Sequence, residues 1–425
     1  MRGFLTFALS IQEKMIKKIY KFGGASVKDA DAVRNLAQIV SQHKDDDIML
    51  VVSAMGKTTN ALERVLDALM AGDVVLAQQE WDGIIAYHED ILHALELPKD
   101  VLPYRALPAL ADRANYDFSY DQLVSLGELT STAIINAYLR KAGLDSCILD
   151  MTRLLRTDAT YRDANVCMAE SEQRICEAVR QAGHQVCIVQ GFIGGTTEGY
   201  RTTLGREGSD YTAALVGNFL DAESVTIWKD VPGILNADPR LVKDTVLIPE
   251  LNYHDAVELS YSGAQIIHPK TIRPIENKHI PLYVKPFGDP TAAGSKIYAD
   301  AAGPIDVPVY IWRKNQVLIT IRPKDFSFVL EQSLNSFFEI IHRHRLKVSL
   351  IQSSAVTISV SVDHTRYVDA AIEELREQFR VNYNEHLSLL TIRGTTPEIL
   401  HKESVGRRIL LSQTTRRTAR FLISE

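Results

Sequence analysis

The sequence predicts a three-layer α/β/α sandwich with a mainly parallel sheet, followed by a smaller α+β region of the ferredoxin-like type. From residue 16 to about 300, short β-branched runs alternate with longer segments of helical period. This alternation is typical of a parallel sheet that is covered by helices on both faces. After Ala301-Ala302-Gly303-Pro304 the pattern changes, and strand-like runs outnumber helices. The length of 425 residues suits two or three domains.

Compact apolar runs predict the strands of the large sheet, and several end in Gly, Ser or Asp, where ligand-binding crossovers begin. The predicted strands cover residues 16–22, 48–53, 146–149, 186–190, 224–228 and 281–284. Two helices are predicted from apolar stripes of helical spacing. One runs through residues 209–220, and the other passes through Glu128.

The region after residue 301 has the β-α-β-β-α order that is typical of ferredoxin-like modules. Its predicted strands cover 317–321, 348–351 and 356–362, and its predicted helices cover 326–344 and 367–379. A second module starts with a strand at 386–393 and is incomplete, because strands at 409–412 and 419–424 bring the chain to its end. We expect an N-terminal extension at 1–14, one domain at 15–300, and a region at 301–425 that holds modules at about 306–382 and 383–425.

The composition is that of an ordinary folded protein and argues against several functional classes. Charged residues make up 24% of the chain and apolar residues 46%, which excludes wholesale disorder. There are 47 Lys and Arg against 53 Asp and Glu, and the net charge of −6 lacks the basic character of a nucleic-acid-binding protein. We therefore expect no nucleic-acid partner, while a small positive pocket for an anion remains compatible with this balance.

The chain has four cysteines, Cys147, Cys167, Cys176 and Cys187, and no two of them form a Cys-x-x-Cys pair. They are interpreted as reduced structural thiols, and no metal-binding residue is predicted. No apolar run reaches the roughly 18 residues of a membrane helix. We therefore expect no membrane partner and a cytoplasmic location.

An anion-binding turn is predicted at the end of the first strand, in Lys21-Phe22-Gly23-Gly24-Ala25-Ser26. The strand delivers a lysine at its carboxyl end, and the two glycines allow the backbone to approach a phosphate at the next helix. Taken alone, the segment fits equally well a tight turn beside a lysine that extends from the sheet edge into solvent.

A second anion-binding turn is predicted just before the helix over 209–220, in Thr203-Leu204-Gly205-Arg206-Glu207-Gly208-Ser209-Asp210. Ser209 is predicted to be the N-cap of that helix, and Arg206 can hold a carboxylate with two parallel hydrogen bonds. The alternative is a capped helix after a flexible loop, in which Asp210 only favours the helix dipole. Two glycine-rich strand-to-helix turns in one sheet favour the ligand-binding interpretation.

Five motifs together resemble those of aspartate kinase, and the resemblance covers nearly the whole chain. The motifs are Lys21-Phe22-Gly23-Gly24-Ala25-Ser26, Ser125-Leu126-Gly127-Glu128-Leu129, Gln190-Gly191-Phe192-Ile193-Gly194, Thr203-Leu204-Gly205-Arg206-Glu207-Gly208-Ser209-Asp210-Tyr211-Thr212-Ala213-Ala214, and Asp230-Val231-Pro232-Gly233-Ile234 with Asp238-Pro239-Arg240. The resemblance implies an amino acid kinase fold followed by two ACT-type regulatory modules. It also implies that ATP, carrying Mg²⁺, phosphorylates the side-chain carboxylate of L-aspartate. The ACT region is expected to mediate a homodimer or higher homo-oligomer and to offer a site for an amino-acid effector.

The same resemblance assigns roles to individual residues. Lys21 contacts the transferring phosphate, and Asp210 orders the catalytic centre. The residues expected to hold aspartate are Thr59, Glu128, Arg206 and Ser209. The residues expected to bind ATP are Lys21, Gly23, Gly24, Ser26, Lys229, Asp230, Gly233, Arg240 and Gln265. A side-chain carboxylate with a reference pKa of about 3.9 is already ionised at neutral pH, so its attack on the γ-phosphoryl group requires no general base.

Some positions depart from the family pattern. Glu207 replaces a usual glycine, Leu235 a usual tyrosine and Gln265 a usual lysine. We expect Glu207 to point to solvent, because it would otherwise repel both substrates. These departures leave a non-catalytic amino-acid sensor as an alternative. A glutamate or N-acetylglutamate kinase of the same fold is another, because one methylene group discriminates weakly between substrates.

The ACT region also departs from the pattern of lysine-sensitive relatives. Ser349 and Ala355 stand at two places where those relatives offer acidic side chains for the ammonium groups of the effector. Two interpretations therefore stay open. The region either binds a feedback effector or serves dimerisation alone.

Overall fold

The computed structural model describes residues 16–43, 46–109, 112–263, 267–301, 305–324 and 334–424. The chain divides into two compact units. The first comprises the chain up to residue 234 with 247–257 and 266–302, and the second comprises 235–246, 258–265 and the chain from 303. The predicted extension at 1–14 and the predicted nucleotide ligand Gln265 lie outside the described residues.

The strands up to residue 301 include all six that the sequence predicts for the large sheet. They are β1 (Lys18–Phe22), β2 (Ile48–Val52), β3 (Ser146–Leu149), β4 (Val186–Gln190), β5 (Ile193–Gly195), β6 (Arg201–Thr203), β7 (Ser224–Lys229), β8 (Ile234–Leu235), β9 (Leu247–Ile248), β10 (Glu250–Leu251), β11 (Leu282–Pro286) and β12 (Ser295–Ile297). Eight of them form one sheet in the order β10-β12-β11-β7-β1-β2-β4-β3. All neighbours in this sheet are parallel except β11 and β12.

Helices cover both faces of this sheet, which confirms the predicted three-layer sandwich. The helices up to residue 301 are α1 (Ala30–Ser41), α2 (Thr58–Ala71), α3 (Val74–Ala94), α4 (Tyr116–Val124), α5 (Leu126–Lys141), α6 (Met151–Leu154), α7 (Met168–Ala182), α8 (Gly208–Phe219), α9 (Tyr253–Tyr261) and α10 (Pro269–Glu276). Alternate residues of β1 face opposite layers, as the pleat of a strand requires. Tyr20 and Phe22 join the core formed with α1 and α5. Ile19 faces the other layer, near Gly217 of α8.

The order of the central strands places four chain segments at one edge of the sheet. β7, β1, β2 and β4 are adjacent and parallel, so their carboxyl ends lie side by side. Lys21, Ser53, Lys229 and Gly191 stand at these ends. In open α/β sheets this edge is where ligands bind.

The second unit contains a six-stranded sheet in the order β14-β15-β13-β16-β18-β17. Its strands are β13 (Val309–Pro323), β14 (Val348–Ser353), β15 (Ile358–Asp363), β16 (Phe379–Arg393), β17 (Ile409–Thr414) and β18 (Thr418–Ser424). Its helices are α11 (Leu334–Arg343), α12 (Val368–Gln378) and α13 (Pro397–Ser404). The sequence prediction missed α13, although Thr396 at its N-cap and Pro397 at its first position are ordinary start signals.

The two long strands of this sheet, β13 and β16, each serve two modules. Both contain a residue with positive φ, Asn315 at 54° and His386 at 54°. Residues 316–323 of β13 pair with 379–387, whereas 309–313 pair with 389–393. The incomplete second module therefore obtains a fourth strand from residues 309–313, which lie within the predicted bounds of the first module.

None of the helices in the described ranges combines the length and the apolar character that a membrane-spanning helix needs. The cytoplasmic location stays a prediction.

Candidate active site

A cavity of about 440 Å³ lies at the carboxyl edge of the large sheet. The structure brings seven of the predicted site residues together around it. They are Lys21, Thr59, Glu128, Arg206, Ser209, Asp210 and Lys229. These residues come from strand ends, from the loop before α8 and from the first turns of helices, so the sheet edge gathers segments that are far apart in sequence.

An ion cluster of two lysines and one aspartate forms the charged centre of the cavity. Lys21 Nζ lies 2.5 Å from Asp210 Oδ1, and Lys229 Nζ lies 3.6 Å from Asp210 Oδ2. Burial raises the pKa of Asp210, but the charges and hydrogen bonds of both lysines outweigh burial and hold the pKa below its ordinary value. The carboxylate is thus ionised and keeps the two ammonium groups close together.

Glu128 presents an unsatisfied carboxylate oxygen in the lining of the cavity. Its side chain is buried in the first turn of α5, and its Oε1 accepts a hydrogen bond from Ala54 N at 3.2 Å. Its Oε2 has no hydrogen-bond partner among the described residues. Burial raises the pKa of Glu128 to about 8, against smaller opposing effects of the backbone hydrogen bonds and of Lys21. A ligand that carries a cationic group would satisfy this oxygen and ionise the carboxyl.

Glycine brings α5 close enough to the end of β2 for that arrangement. A Cβ atom at Gly127 would lie 2.8 Å from the side chain of Ala54. The helix that carries Glu128 therefore packs directly against the segment after β2, which also carries Ser53 at the cavity.

The start of α8 differs from the predicted one. The helix begins at Gly208, so Ser209 lies in its first turn and is not the N-cap; the N-cap position belongs to Glu207. Gly205 with φ of 76° and Glu207 with φ of 54° turn the chain sharply into the helix. Ser209 is buried, and a Cβ atom at Gly191 would lie 2.6 Å from its side chain.

The expectation that Glu207 points to solvent is wrong. Its side chain lines the cavity, and its Oε2 is a buried atom without a hydrogen-bond partner among the described residues. Burial raises the pKa of Glu207, whereas the charge of Lys229 lowers it. Glu207 also has a left-handed backbone conformation, with a φ of 54°, which the residue type alone does not reveal.

The first glycine turn brings the segments after β1 and β2 into contact. A Cβ atom at Gly24 would lie 2.8 Å from the carbonyl oxygen of Gly56 and 2.9 Å from that of Ala54. Gly24 therefore permits the segments after β1 and β2 to touch. The Ser26 hydroxyl donates to the carbonyl oxygen of Trp228 at 3.2 Å, and the Cβ position of Gly23 lies 3.4 Å from Lys21 Nζ.

Among the described residues, the other predicted nucleotide ligands do not line this cavity. Asp230 is exposed just after β7, and Gly233 has a φ of 151°. Arg240 belongs to the second unit, where its guanidinium donates to both oxygens of Asp238 at 2.9 and 2.7 Å. The nucleotide roles of Asp230, Gly233 and Arg240, like those of Gly23, Gly24 and Ser26, stay predictions.

Sequence reasoning missed three residues that also line the cavity, namely Ser53, Tyr120 and Arg162. Phe192 and Thr203 line it too, and they lie in motifs quoted above without an assigned role. Arg162 has a φ of 70°, and its guanidinium carbon lies 4.2 Å from the centre of the Tyr120 ring. The loop around Arg162 shows no recognisable motif, so nothing in the sequence pointed to it.

A buried aspartate, Asp121, holds this loop in place. Its carboxylate accepts hydrogen bonds from Arg162 N at 3.0 Å, Thr203 N at 2.8 Å and Thr203 Oγ1 at 2.7 Å. Burial raises the pKa of Asp121 to about 7, while these hydrogen bonds lower it. Asp121 therefore joins the Arg162 loop to β6 beside the cavity.

Comparison with known proteins agrees with this geometry. Residues 17–286 match the Amino acid kinase family. The Lysine-sensitive aspartokinase 3 of Escherichia coli (strain K12) is 32% identical over 394 residues, which are 88% of this chain and 86% of that protein. The chloroplastic Aspartokinase 3 of Arabidopsis thaliana is 29% identical over 422 residues, which are 92% of this chain and 74% of that protein.

Two solved structures support the same relationship. E. coli aspartokinase III in complex with aspartate and ADP, in the R-state, is 28% identical, covers 96% of each chain and has a TM-score of 0.83. The same enzyme in complex with lysine and aspartate, in the T-state, covers 96% of each chain with a TM-score of 0.71. The chain therefore belongs to the amino acid kinase family, as one of its aspartokinases.

Proposed function

We propose that the cavity transfers the γ-phosphoryl group of ATP to the side-chain carboxylate of L-aspartate. The product would be 4-phospho-L-aspartate, the first intermediate towards lysine, methionine and threonine. One observation carries this proposal: the two lysines held by Asp210 share a cavity with the unsatisfied carboxylate of Glu128. The cavity thus offers cations for a phosphate and an anion for an ammonium group.

The substrate amino acid fits the charges at one side of the cavity. Its α-ammonium group would satisfy Oε2 of Glu128, which has no partner among the described residues. Its carboxylates suit Arg206 and Ser209, since a guanidinium binds a carboxylate through parallel hydrogen bonds. Thr59 lines the same cavity and completes the proposed aspartate site.

Phosphoryl transfer requires the two anionic substrates to meet without repelling each other. Lys21 and Lys229 supply positive charge, and the amino end of α8 adds partial positive charge from its backbone amides. The acceptor carboxylate is ionised, so positioning and charge neutralisation suffice for the reaction. Asp210 holds the ammonium groups of both lysines in position and accepts no proton from the substrate.

The residues present suit a magnesium ion that arrives on the nucleotide. No group of three or more His, Cys, Asp or Glu side chains that could hold a metal ion occurs in the described ranges. Asp210 is already paired with two lysines. Mg²⁺ commonly binds through substrate phosphates and water, and there it would neutralise charge on the β- and γ-phosphates.

A trapping assay tests the proposal. Purified protein with ATP, Mg²⁺ and hydroxylamine should give the acyl hydroxamate and ADP with L-aspartate. Product from L-glutamate or N-acetylglutamate in place of aspartate would select a different kinase of the same fold. Nucleotide binding without release of ADP would show that the protein is a non-catalytic amino-acid sensor. This is the second candidate function, because the carboxylate of Glu207 lines the cavity that must accept phosphates. For a Lys21→Met variant in this assay, Lys17→Met serves as a matched control, because Lys17 is exposed directly before β1, the strand that carries Lys21.

We also propose that the second unit forms a homodimer or higher oligomer and binds an amino-acid effector there. The six-stranded sheet of two joined modules supports the ACT-type assignment on which this rests. Light scattering tests the oligomer, and a monomer at assay concentration would contradict it. Unchanged turnover after addition of lysine or threonine would leave dimerisation as the role of this unit.

A further inference from the structure

Two cysteines lie side by side in the large sheet, on its last two strands. β3 pairs with β4 in parallel, and the register places Cys147 directly opposite Cys187. Residues opposite each other on neighbouring strands project from the same face, with Cα atoms about 4.8 Å apart. Disulfides join Cα atoms about 4.4–6.8 Å apart. The two sulfur atoms are 4.0 Å apart. A disulfide bond is about 2.05 Å long, so the side chains and the edge strand must shift towards β4 for the bond to form.

The two thiols differ in their exposure. Cys187 is buried, whereas Cys147 is partly exposed. In the described part of the chain β3 is the edge strand of the sheet, with β4 as its neighbour. An oxidant in solution therefore reaches Cys147 first, and the edge strand has room to adjust when a bond forms.

The surroundings of Cys147 favour its thiolate. The thiol of Cys187, followed by the charges of His184 and Arg140, lowers the pKa of Cys147 to about 7, although burial and Asp145 oppose this. His184 is itself paired with Asp145, Nδ1 to Oδ1 at 2.6 Å. The thiolate is the reactive form towards peroxides.

We propose that Cys147 and Cys187 form a reversible oxidation site, in which Cys147 reacts with a peroxide and Cys187 resolves the product as an intramolecular disulfide. In the first step the Cys147 thiolate attacks one peroxide oxygen, and hydroxide leaves, which gives a sulfenic acid. In the second step the Cys187 sulfur attacks the Cys147 sulfur, and the sulfenic oxygen leaves as water. Overall, two thiols are oxidised, one hydrogen peroxide is reduced, and two waters form.

The other two cysteines do not share these features and provide matched controls. Cys167 is exposed at the start of α7. Cys176 lies on the same helix, where its thiol donates to the carbonyl oxygen of Phe219 at 3.2 Å and burial raises its pKa. Neither has the facing thiol that Cys147 has in the register of β3 and β4.

Peptide mapping of the intact protein tests the proposal without any substitution. After brief treatment with hydrogen peroxide and alkylation, we expect a linked peptide that contains Cys147 and Cys187 and that disappears with a thiol reductant. The same treatment in urea should abolish the preference for this pair. Cross-links that join Cys167 or Cys176 instead, or sulfinic acid on Cys147 with Cys187 still reduced, would overturn the proposal.

Variants then assign the two roles. A protein with Cys167→Ser and Cys176→Ser should still form the disulfide, whereas Cys147→Ser should form none. In Cys187→Ser the sulfenic acid of Cys147 should persist and be trapped by dimedone. A dimedone adduct on Cys187 in the Cys147→Ser protein, at the same rate as on Cys147 in the reverse variant, would contradict the order of the steps.

Discussion

Lys21 Nζ lies 2.5 Å from Asp210 Oδ1, and this ion pair joins the carboxyl end of the first strand to the first turn of α8. The side chains are 10% and 2% exposed, so the buried ammonium group of Lys21 depends on Asp210 for its stabilisation. Removing one member of such a pair leaves an uncompensated buried charge. A phosphate that enters the cavity therefore meets an ammonium group whose position is already set by the protein.

We expect Lys21→Met to lower kcat by about 100-fold or more, because preorganised charge at the transferring phosphoryl group is lost. The KM for aspartate should change little, since the proposed aspartate site does not include Lys21. Steady-state kinetics with coupled detection of ADP measures both constants. The exposed Lys17→Met control should behave as wild type, and a Lys21 variant that retains full kcat would contradict the proposed role.

Glu128 should make aspartate binding depend on pH. Its pKa is raised to about 8 in the empty site, and its ionised form binds the ammonium group. Protons therefore compete with aspartate below that pH, so the KM for aspartate should fall as the pH rises from 6 to 8. Glu128→Gln should raise the KM about 10-fold or more at pH 8 and remove this dependence.

The exposed residue Glu223 offers a matched control for that experiment. Glu223→Gln should keep the pH profile of the wild type. A Glu128→Gln variant whose KM still follows pH in the wild-type manner would show that another group binds the ammonium ion.

Glu207→Gly should lower the KM for ATP several-fold, because it removes a negative charge from a cavity that must accept phosphates. Glycine accepts the φ of 54° at this position without strain, so the fold should be retained. Glu198→Gly, in an exposed loop, is the control. A higher KM for ATP in Glu207→Gly would instead mean that the carboxylate assists nucleotide binding.

Asp121 should influence stability in a defined pH range. Its pKa rises from the ordinary value of 3.8 to about 7 in the folded protein, so the folded state binds a proton more tightly than the unfolded state. The stability that comes from this proton is complete below the unfolded-state pKa of 3.8 and is lost as the pH rises through about 7.

Asp121→Asn lacks this titration, and it also loses acceptor capacity for Arg162 N and the two Thr203 donors. We expect the free energy of unfolding of this variant to be lower than that of the wild type by about 1–3 kcal/mol at pH 4. This difference should become smaller as the pH rises towards 7. Urea denaturation at both pH values measures the difference. A gap that widens with pH would contradict a raised pKa.

Gly24→Ala should disturb the packing at the carboxyl edge of the large sheet, where the cavity lies. Its Cβ atom would meet two backbone carbonyl oxygens at 2.8 and 2.9 Å, so the segments after β1 and β2 must move apart. We expect lower stability and, in the protein that remains folded, lower kcat. Gly83→Ala is the control, because nothing lies within 4 Å of its Cβ position and it lies inside α3. That variant should be neutral or more stable by up to about 1 kcal/mol.

The fold was predictable where a local pattern extends over enough residues. The strand over 186–190 was predicted with the bounds that the structure has, because five consecutive buried residues make an unmistakable run. The strands Glu250–Leu251 and Ser295–Ile297 were not, since two or three residues are too few to show a period. The fourth strand of the second module was also hidden, because residues 309–313 precede the module that they complete.

The residues of the candidate active site likewise divide into those that a local sequence motif indicates and those that it does not. Lys21, Arg206, Ser209 and Asp210 belong to contiguous motifs, so their residue types and spacing pointed to them. Asp121 shows no such signal, because its hydrogen bonds span 41 residues to one partner and 82 to the other.

Hydrophobic periodicity and the glycine-rich turns were enough to predict a parallel sheet with an anion-binding edge, since both features act between near neighbours in the chain. The direction of Glu207, the contacts of Asp121 and the 4.0 Å between the sulfurs of Cys147 and Cys187 depend on backbone conformation and strand register. These properties arise from packing between distant segments, where each position is set by all its neighbours together. Local sequence patterns therefore do not predict these properties.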